Sequence, residues 1–311
     1  MPLRGKRILL TGASSGVGHA AAKRLAMAGA VLALSARRED RLLALAEEIR
    51  RQGGVAPHVL PADLSHHGEA ARLAKGALQK LHGVDVLINN AGATTQALTW
   101  IGGDDDDGRA MFETNVWSPL ALVASLAPAM VERGEGVIVN VGSMVRVSPF
   151  PHLGHYAASR AAVAALSHVM ALELNPRGVR VVELDFGTID TAASYEVRQI
   201  SGIQPWMEGG PGVGSLEMAA EALVRAADTR TSGFAFYPRA LKWIDRFPGL
   251  GRRYSKRLSK YADLKDTAVR SGGSGGDEGS RALRENWETA NAHGSQPVAS
   301  ATAVALQVEQ K

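Results

Sequence analysis

Residues 8–28 read ILLTGASSGVGHAAAKRLAMA, and this stretch decides the fold. Ile8, Leu9 and Leu10 form an apolar run without polar alternation, as a strand covered on both faces requires. Gly12, Gly16 and Gly18 punctuate a turn, and Ala20 to Ala28 has the Ala- and Leu-rich composition of a helix. Glycines at a strand-to-helix turn let the backbone approach a pyrophosphate. The helix beyond offers unpaired N–H groups and a positive dipole end. The contacts expected for a dinucleotide are therefore Gly12, Ser14, Ser15, Gly16, Val17 and Gly18.

The pattern repeats outward from this turn. Val31 to Leu34 is a second buried strand, followed by Ser35-Ala36-Arg37-Arg38. An acid at this point would hold a ribose 2′-hydroxyl, whereas arginine suits a 2′-phosphate. Arg37 and Arg38 thus favour NADP(H), with NAD(H) as the alternative, unless they are a solvated pair opening a helix. Arg41 to Arg50 places Leu42, Leu45 and Ile49 on one helical face. Val55 to Leu60 reads as a third strand, followed by Asp63 and Leu64 where an adenine ring would lie. Further strands are expected at Val84 to Ile88, Val137 to Val141, Val179 to Leu184 and Phe234 to Tyr237. Helices are expected at Gly68 to Leu81, Ala110 to Glu132 and Tyr156 to Leu174. Asn90, Ala91 and Gly92 follow the fourth strand, again where such folds bind ligands. The alternation predicts an α/β fold: one doubly wound Rossmann-type domain over residues 1–238, with a mostly parallel seven-stranded sheet.

Two segments fall outside this alternation. Ala192 to Gly214 is rich in glycine and proline and carries Ile203, Trp206 and Met207, as a lid over an apolar pocket would. Ser215 then reads as the N-cap of a helix over Leu216 to Ala227. Residues 239–270 form a basic helical extension, in which Arg239 to Lys260 holds eight cations against the single acid Asp245. Its mixture with Trp243, Phe247 and Leu250 suits peripheral contact of 239–261 with an anionic membrane, or docking on the same domain or a partner subunit. Pro248-Gly249 is expected to split it into two short helices. Residues 271–311 begin SGGSGGDEGS and read as a flexible, disordered tail, with one short helix at Arg281 to Ala290.

Composition narrows the function classes. The 311 residues contain no cysteine, which excludes disulfides, thiolate catalysis and Cys-based zinc sites. No apolar run reaches the roughly 18 residues needed to span a bilayer, and no signal-like start is present, so a cytoplasmic location is expected. The net charge of +4 belongs mainly to the basic segment, and no nucleic-acid module is recognisable. Asp104 to Asp107 lacks calcium-loop spacing and His66-His67 is too local for a metal site, so no metal is expected.

Several motifs occur together and in order: TGASSGVG at 11–18, NNAG at 89–92, Asn115, Ser143 in VGSM and Tyr156 in YAASR. By these the chain resembles the short-chain dehydrogenase/reductase family over about residues 5 to 240. The resemblance implies that Tyr156 is the general acid that protonates a carbonyl oxygen as hydride arrives, or the base in the reverse reaction. It implies that Ser143 hydrogen-bonds the same oxygen and that Asn115 holds a water in a proton relay. Gly187 and Thr188 join the cofactor residues, with Thr188 at the nicotinamide carboxamide. An alkoxide forming under hydride transfer needs two such converging donors, one able to give up its proton.

The chain departs from the family's pattern at two positions. The family's lysine, four residues after the tyrosine, is Arg160 here. That lysine holds the nicotinamide ribose, places positive charge beside the tyrosine and passes protons. Arginine can do the first two but stays protonated. Cofactor binding is expected to survive, with slower or altered catalysis. Phe186 replaces the family's proline before Gly187, either reshaping the pocket or filling space. His152 and His155, between Ser143 and Tyr156, read as surface residues rather than catalysts.

The primary reading is an NADPH-dependent reductase of a lipophilic or medium-sized carbonyl, or the reverse alcohol oxidation. The alternatives are non-redox chemistry on the same fold (elimination, isomerisation or cyclisation) and a cofactor-binding regulator. The expected partners are a small-molecule substrate and further copies of the chain, as dimer or tetramer through the long helices.

Overall fold

The computed structural model describes residues 3–191, 194 and 213–259. The tail from residue 260, and the expected lid apart from Ser194, Val213 and Gly214, lie outside the described residues. So do Ile203, Trp206, Met207 and the helix expected at 281–290.

The strands are β1 (Arg7–Thr11), β2 (Val31–Ser35), β3 (His58–Val59), β4 (Val86–Asn89), β5 (Gly136–Ser143), β6 (Val179–Phe186), β7 (Thr188–Ile189), β8 (Val213–Gly214) and β9 (Gly233–Tyr237). Seven of them form one sheet in the order β3-β2-β1-β4-β5-β6-β9. Every neighbouring pair in it is parallel. The chain leaves β1 toward β2 and β3, then crosses back to place β4 on the other side of β1. The strand order therefore reverses between β1 and β4, and the crevice at their carboxyl ends is the ligand position of a doubly wound fold.

Helices cover both faces. On one lie α1 (Gly16–Met27), α2 (Glu39–Arg51) and α8 (Leu216–Ala227). On the other lie α3 (Glu69–Leu81), α6 (Ser118–Arg133) and α7 (Gly154–Leu174). Strand side chains alternate between two cores. Ile8, Leu10, Leu32, Leu34, Val86 and Ile88 pack on Leu25, Leu42, Ile49 and Leu223. Leu9, Leu87, Ile138 and Val181 pack on Leu73, Leu122, Leu126 and Met130. Ser215 caps α8, its Oγ accepting from Met218 N at 3.4 Å, as its position before the helix implies.

Three expectations are corrected. The third strand shrinks from 55–60 to His58–Val59, because it lies at the sheet edge with one neighbour and Pro57 has no N–H to donate. The helix expected over 110–132 is a longer run containing α5 (Asp106–Phe112), a π-turn at Glu113–Trp117 and α6. Pro119 cannot return an N–H to the carbonyl of residue 115, and the helix widens there. The run Asp106–Arg133 is apolar and long enough to cross a membrane by length and composition, but half of an apolar 18-residue stretch within it is buried inside the protein. Finally, β6 is not a purely apolar strand: Glu183 and Asp185 are both buried on it.

After β9, two short helices, α9 (Lys242–Arg246) and α10 (Pro248–Leu258), meet at Phe247–Pro248. They dock on the same domain through the loop that follows β5, where Ser148 Oγ donates to Gly251 O at 3.2 Å.

Candidate active site

The glycine turn is held by its neighbour across the switch point. Asn90 Nδ2 donates to Thr11 O at 2.9 Å and Gly12 O at 3.2 Å. Thr11 Oγ1 in turn accepts from Asn90 N and Ala91 N, each at 3.0 Å. Gly12 has φ +70°, and a Cβ there would lie 2.7 Å from Asn90 Nδ2. A Cβ at Gly18 would collide with the Gly12 carbonyl and the Asn90 amide. These two positions therefore admit glycine only. Ser15 begins α1 without a side-chain cap, so the first N–H groups of the helix face the crevice uncapped. A Cβ at Gly16 would stand 3.6 Å from Thr191 Cγ2, which brings the chain just after Thr188 beside the same helix start.

A basic corner adjoins the turn. Arg38 Nη2 donates to Ser14 Oγ and Ser15 Oγ, both at 3.1 Å. Arg37 is exposed at the end of β2, and its charge acts on Asp63. Burial would raise the Asp63 carboxyl, but hydrogen bonds from Ser65 and the charges of Arg37 and His66 hold it below its usual value. The Arg38 guanidinium and two hydroxyls thus converge beyond β2, a donor set that matches a phosphate, with Arg37 exposed next to it in the chain. The side chain of Leu64 is buried in the core, and its carbonyl accepts from Ser118 Oγ at 2.9 Å.

The π-turn presents Asn115 inward. Its Nδ2 donates to Ala93 O at 2.9 Å and Ser159 Oγ at 3.0 Å, and its Oδ1 accepts from Ala93 N at 2.8 Å. Both amide hydrogens are taken, so Asn115 braces the segment after Gly92 against α7. Ser143 ends β5 and caps a short 3-10 turn, its Oγ accepting from Val145 N at 3.3 Å. Tyr156 lies in the first turn of α7, which packs against β5 and that 3-10 turn.

Arg160 stands one helical turn after Tyr156 and is buried. Its Cζ lies 5.2 Å from the centre of the Tyr156 ring, and its Nη1 donates to Val141 O at 3.0 Å. A Cβ at Gly92 would collide with Nη2, so Gly92 makes room for the guanidinium. Sequence spacing had placed Arg160 on the Tyr156 face of the helix, but not its reach to β5.

Behind this lies a polar cluster the sequence reading missed. Ser167 Oγ donates to Glu183 Oε2 at 2.5 Å and accepts from Asn140 Nδ2 at 2.8 Å, and Asn140 accepts from Asn89 at 2.9 Å. Asp185 Oδ2 accepts from Arg146 Nε at 2.9 Å and Nη2 at 2.6 Å, and Arg146 also binds Asp245 at 2.7 Å. A Cβ at Gly142 would collide with both Glu183 Oε1 and Asp185 Oδ1, so the two carboxyls meet over that glycine. Burial, and next the charge of Asp185, push the Glu183 carboxyl up to about 8. Burial also raises Asp185, against the pull of Arg146. The available signal was two acids spaced by two in an apolar strand, which puts both on one face.

Other expectations resolve locally. Phe186 is buried against Tyr237, ring centres 6.3 Å apart and edge-on, so it fills the core. Gly187 N donates to Tyr237 O at 2.9 Å, and Thr188 pairs with Val213. His152 is buried, correcting its surface reading, whereas His155 Nε2 lies 2.7 Å from Gly103 O. Asp105 caps α5 through Gly108 N at 2.7 Å, and Asp104 pairs with Arg109. A cavity of about 400 Å³ beside them is lined by Phe112, Glu113, Trp117 and His155, and by none of Ser143, Tyr156 or Arg160.

Comparison with known proteins places this arrangement. A family model described as short chain dehydrogenase matches residues 6–201. A fatty acyl-CoA reductase of Mycobacterium tuberculosis is 36% identical over 259 residues, covering 82% of this chain and 84% of that one. A short chain dehydrogenase of Pseudocercospora fijiensis is 37% identical over 190 residues, 61% of each chain. A solved short-chain dehydrogenase of Sphingobium yanoikuyae in complex with NADPH has a TM-score of 0.67 at 30% identity, covering 85% of this chain and 99% of that one. Matching motifs, strand order and relatives lead to one conclusion: the chain belongs to the short-chain dehydrogenase/reductase family of NAD(P)-dependent oxidoreductases.

Proposed function

We propose that residues 1–238 reduce the carbonyl of a lipophilic substrate with NADPH, or run the reverse oxidation. The observation that carries this reading is the Tyr156–Arg160 pair, set by α7 beside the end of β5 where Ser143 stands. The dinucleotide, when bound, supplies the hydride. Gly12 to Gly18 and the uncapped start of α1 receive its pyrophosphate, with Asp63, Leu64, Asn90, Ala91, Gly92, Gly187 and Thr188 along the crevice. Arg37 and Arg38, with Ser14 and Ser15, favour a 2′-phosphate and hence NADP(H) over NAD(H). Tyr156 gives its hydroxyl proton to the carbonyl oxygen and Ser143 donates a hydrogen bond to it. Arg160 keeps a fixed positive charge at the Tyr156 ring and carries no proton onward. Proton return therefore falls to solvent near Asn115. The lipophilic substrate class is supported by the relative named as a fatty acyl-CoA reductase.

The test is NADPH oxidation with a panel of medium- and long-chain aldehydes and ketones. Wild type is expected to turn over, Tyr156→Phe to lose roughly 100-fold or more, and Arg160→Lys to raise the rate. If NADPH binds but no carbonyl is consumed by wild type or Arg160→Lys, the reductase reading fails. Turnover by the lysine variant alone would favour non-redox chemistry, a second reading motivated by the buried Arg160–Val141 contact.

A further inference from the structure

We propose that the outward face of α9 and α10 docks on an anionic lipid bilayer, setting the loop between Ser143 and Tyr156 against the membrane. The second of these helices, α10, is oriented opposite to an ordinary surface helix. A surface helix normally turns its large apolar side chains to the core. Here α10 turns its small ones: a Cβ at Gly251 would lie 2.7 Å from Val147 O, and the Ser255 and Ser148 hydroxyls are 3.1 Å apart. Of the large apolar side chains, Ile244 turns inward onto Gly251, whereas Trp243 is 55%, Phe247 52% and Leu250 52% exposed, and Tyr254, at the edge beside Phe150, 45%. The Trp243 and Phe247 rings stack at 6.3 Å with 9° between planes. Several large apolar side chains exposed within twelve residues of chain, two of them stacked, mark an interaction surface.

Charge selects the partner. Lys242, Arg246, Arg252, Arg253, Lys256 and Arg257 are all exposed around the patch. Lys242 Nζ lies 5.1 Å from the Trp243 ring centre and the Arg246 guanidinium 5.9 Å from that of Phe247. The single acid of this stretch, Asp245, turns inward to Arg146 at 2.7 Å. Among the described residues of α9 and α10, the outer face therefore offers apolar rings and cations with no carboxylate of their own opposing them, the combination that binds anionic headgroups. A second copy on the same face would oppose cation to cation, which disfavours a two-fold contact.

The same helices rest on the catalytic loop. Arg146 binds Asp245, Ser148 binds Gly251 and Ser255, and Phe150 meets Tyr254 edge-on at 6.3 Å. All three loop residues lie between Ser143 and Tyr156. Resting on the reading of a lipophilic substrate, a docked enzyme would take it from the bilayer beside its own site.

Full-length protein is sedimented with vesicles of phosphatidylcholine alone or mixed with phosphatidylglycerol. Binding is expected to be at least about tenfold stronger to the mixed vesicles and to weaken with salt. Trp243→Glu/Phe247→Glu and Arg252→Glu/Arg253→Glu change only exposed side chains. Each is expected to lose roughly tenfold or more in binding while keeping wild-type turnover of a short water-soluble carbonyl. Equal binding to both vesicle types, or binding unchanged in both variants, overturns the proposal. So does an absence of vesicle binding in which the same substitutions shift the sedimentation coefficient, since a second copy then covers the face. Vesicle binding without turnover of any carbonyl keeps the docking surface and rejects the reductase reading.

Discussion

Replacing Glu183 by glutamine should remove a pH-dependent loss of stability. In the fold this carboxyl is buried, faces Asp185 over Gly142 and is pushed up to about 8 from its ordinary 4.5. Between those values the folded protein holds a proton that the unfolded chain has released. Unfolding free energy must therefore fall as pH rises through that window, since the folded state binds more protons. The full contribution is present below the unfolded value and is lost as pH passes the folded one. The slope approaches ~1.4 kcal/mol per pH unit, so from about pH 5 to about pH 8 the loss is of order 4 kcal/mol. Glutamine keeps an oxygen for the Ser167 hydroxyl, which donates at 2.5 Å, and carries no charge at any pH. Urea unfolding of both proteins across this range isolates the Glu183–Asp185 pair, because titrating residues away from it cancel in the difference. The difference should grow with pH in favour of glutamine. A flat difference curve would mean that Glu183 is ionised in the fold, and the account of the cluster would be wrong.

Three other substitutions probe the cofactor turn and its frame. Arg38→Ala removes the bonds to Ser14 and Ser15. KM for NADPH should rise by about tenfold with KM for NADH within roughly twofold, as loss of one charged phosphate contact implies; an equal rise for both would argue against a 2′-phosphate role. Gly18→Ala drives a Cβ into the Gly12 carbonyl and Asn90 amide. It should cost about 1–3 kcal/mol and abolish NADPH binding in a fluorescence titration, and unchanged affinity would refute the close approach. Ser215→Ala removes the α8 cap, whose bond is long at 3.4 Å. Chemical denaturation should show a loss near the low end of the usual range, about 0.5–1 kcal/mol, and no change in KM.

Much of the site was legible because its signals are local. The turn glycines, the arginines after β2, and the Tyr156–Arg160 interval each act within one or two turns of chain. The π-turn at Asn115 was legible only in hindsight, through Pro119. The depth of His152 and the core placement of Phe186 were not legible, because burial depends on what packs over a residue rather than on its neighbours in sequence.

The sequence alone determined the strand–turn–helix start, the alternation of strands and helices, and the identity of the residues at the strand ends. Apolar runs, glycine freedom and helical spacing need no distant partner to act. Tertiary structure alone decided where Arg160 points, which carboxyls meet, and which way the final helices face. Arg146 and Asp245 are 99 positions apart, and Asn90 lies 79 positions from the Thr11 carbonyl it holds. Contacts across such separations form only once the sheet order has brought the elements together. The low dielectric between sheet and α7 then sets the charge of Glu183, which no reading of its neighbours in the chain contains.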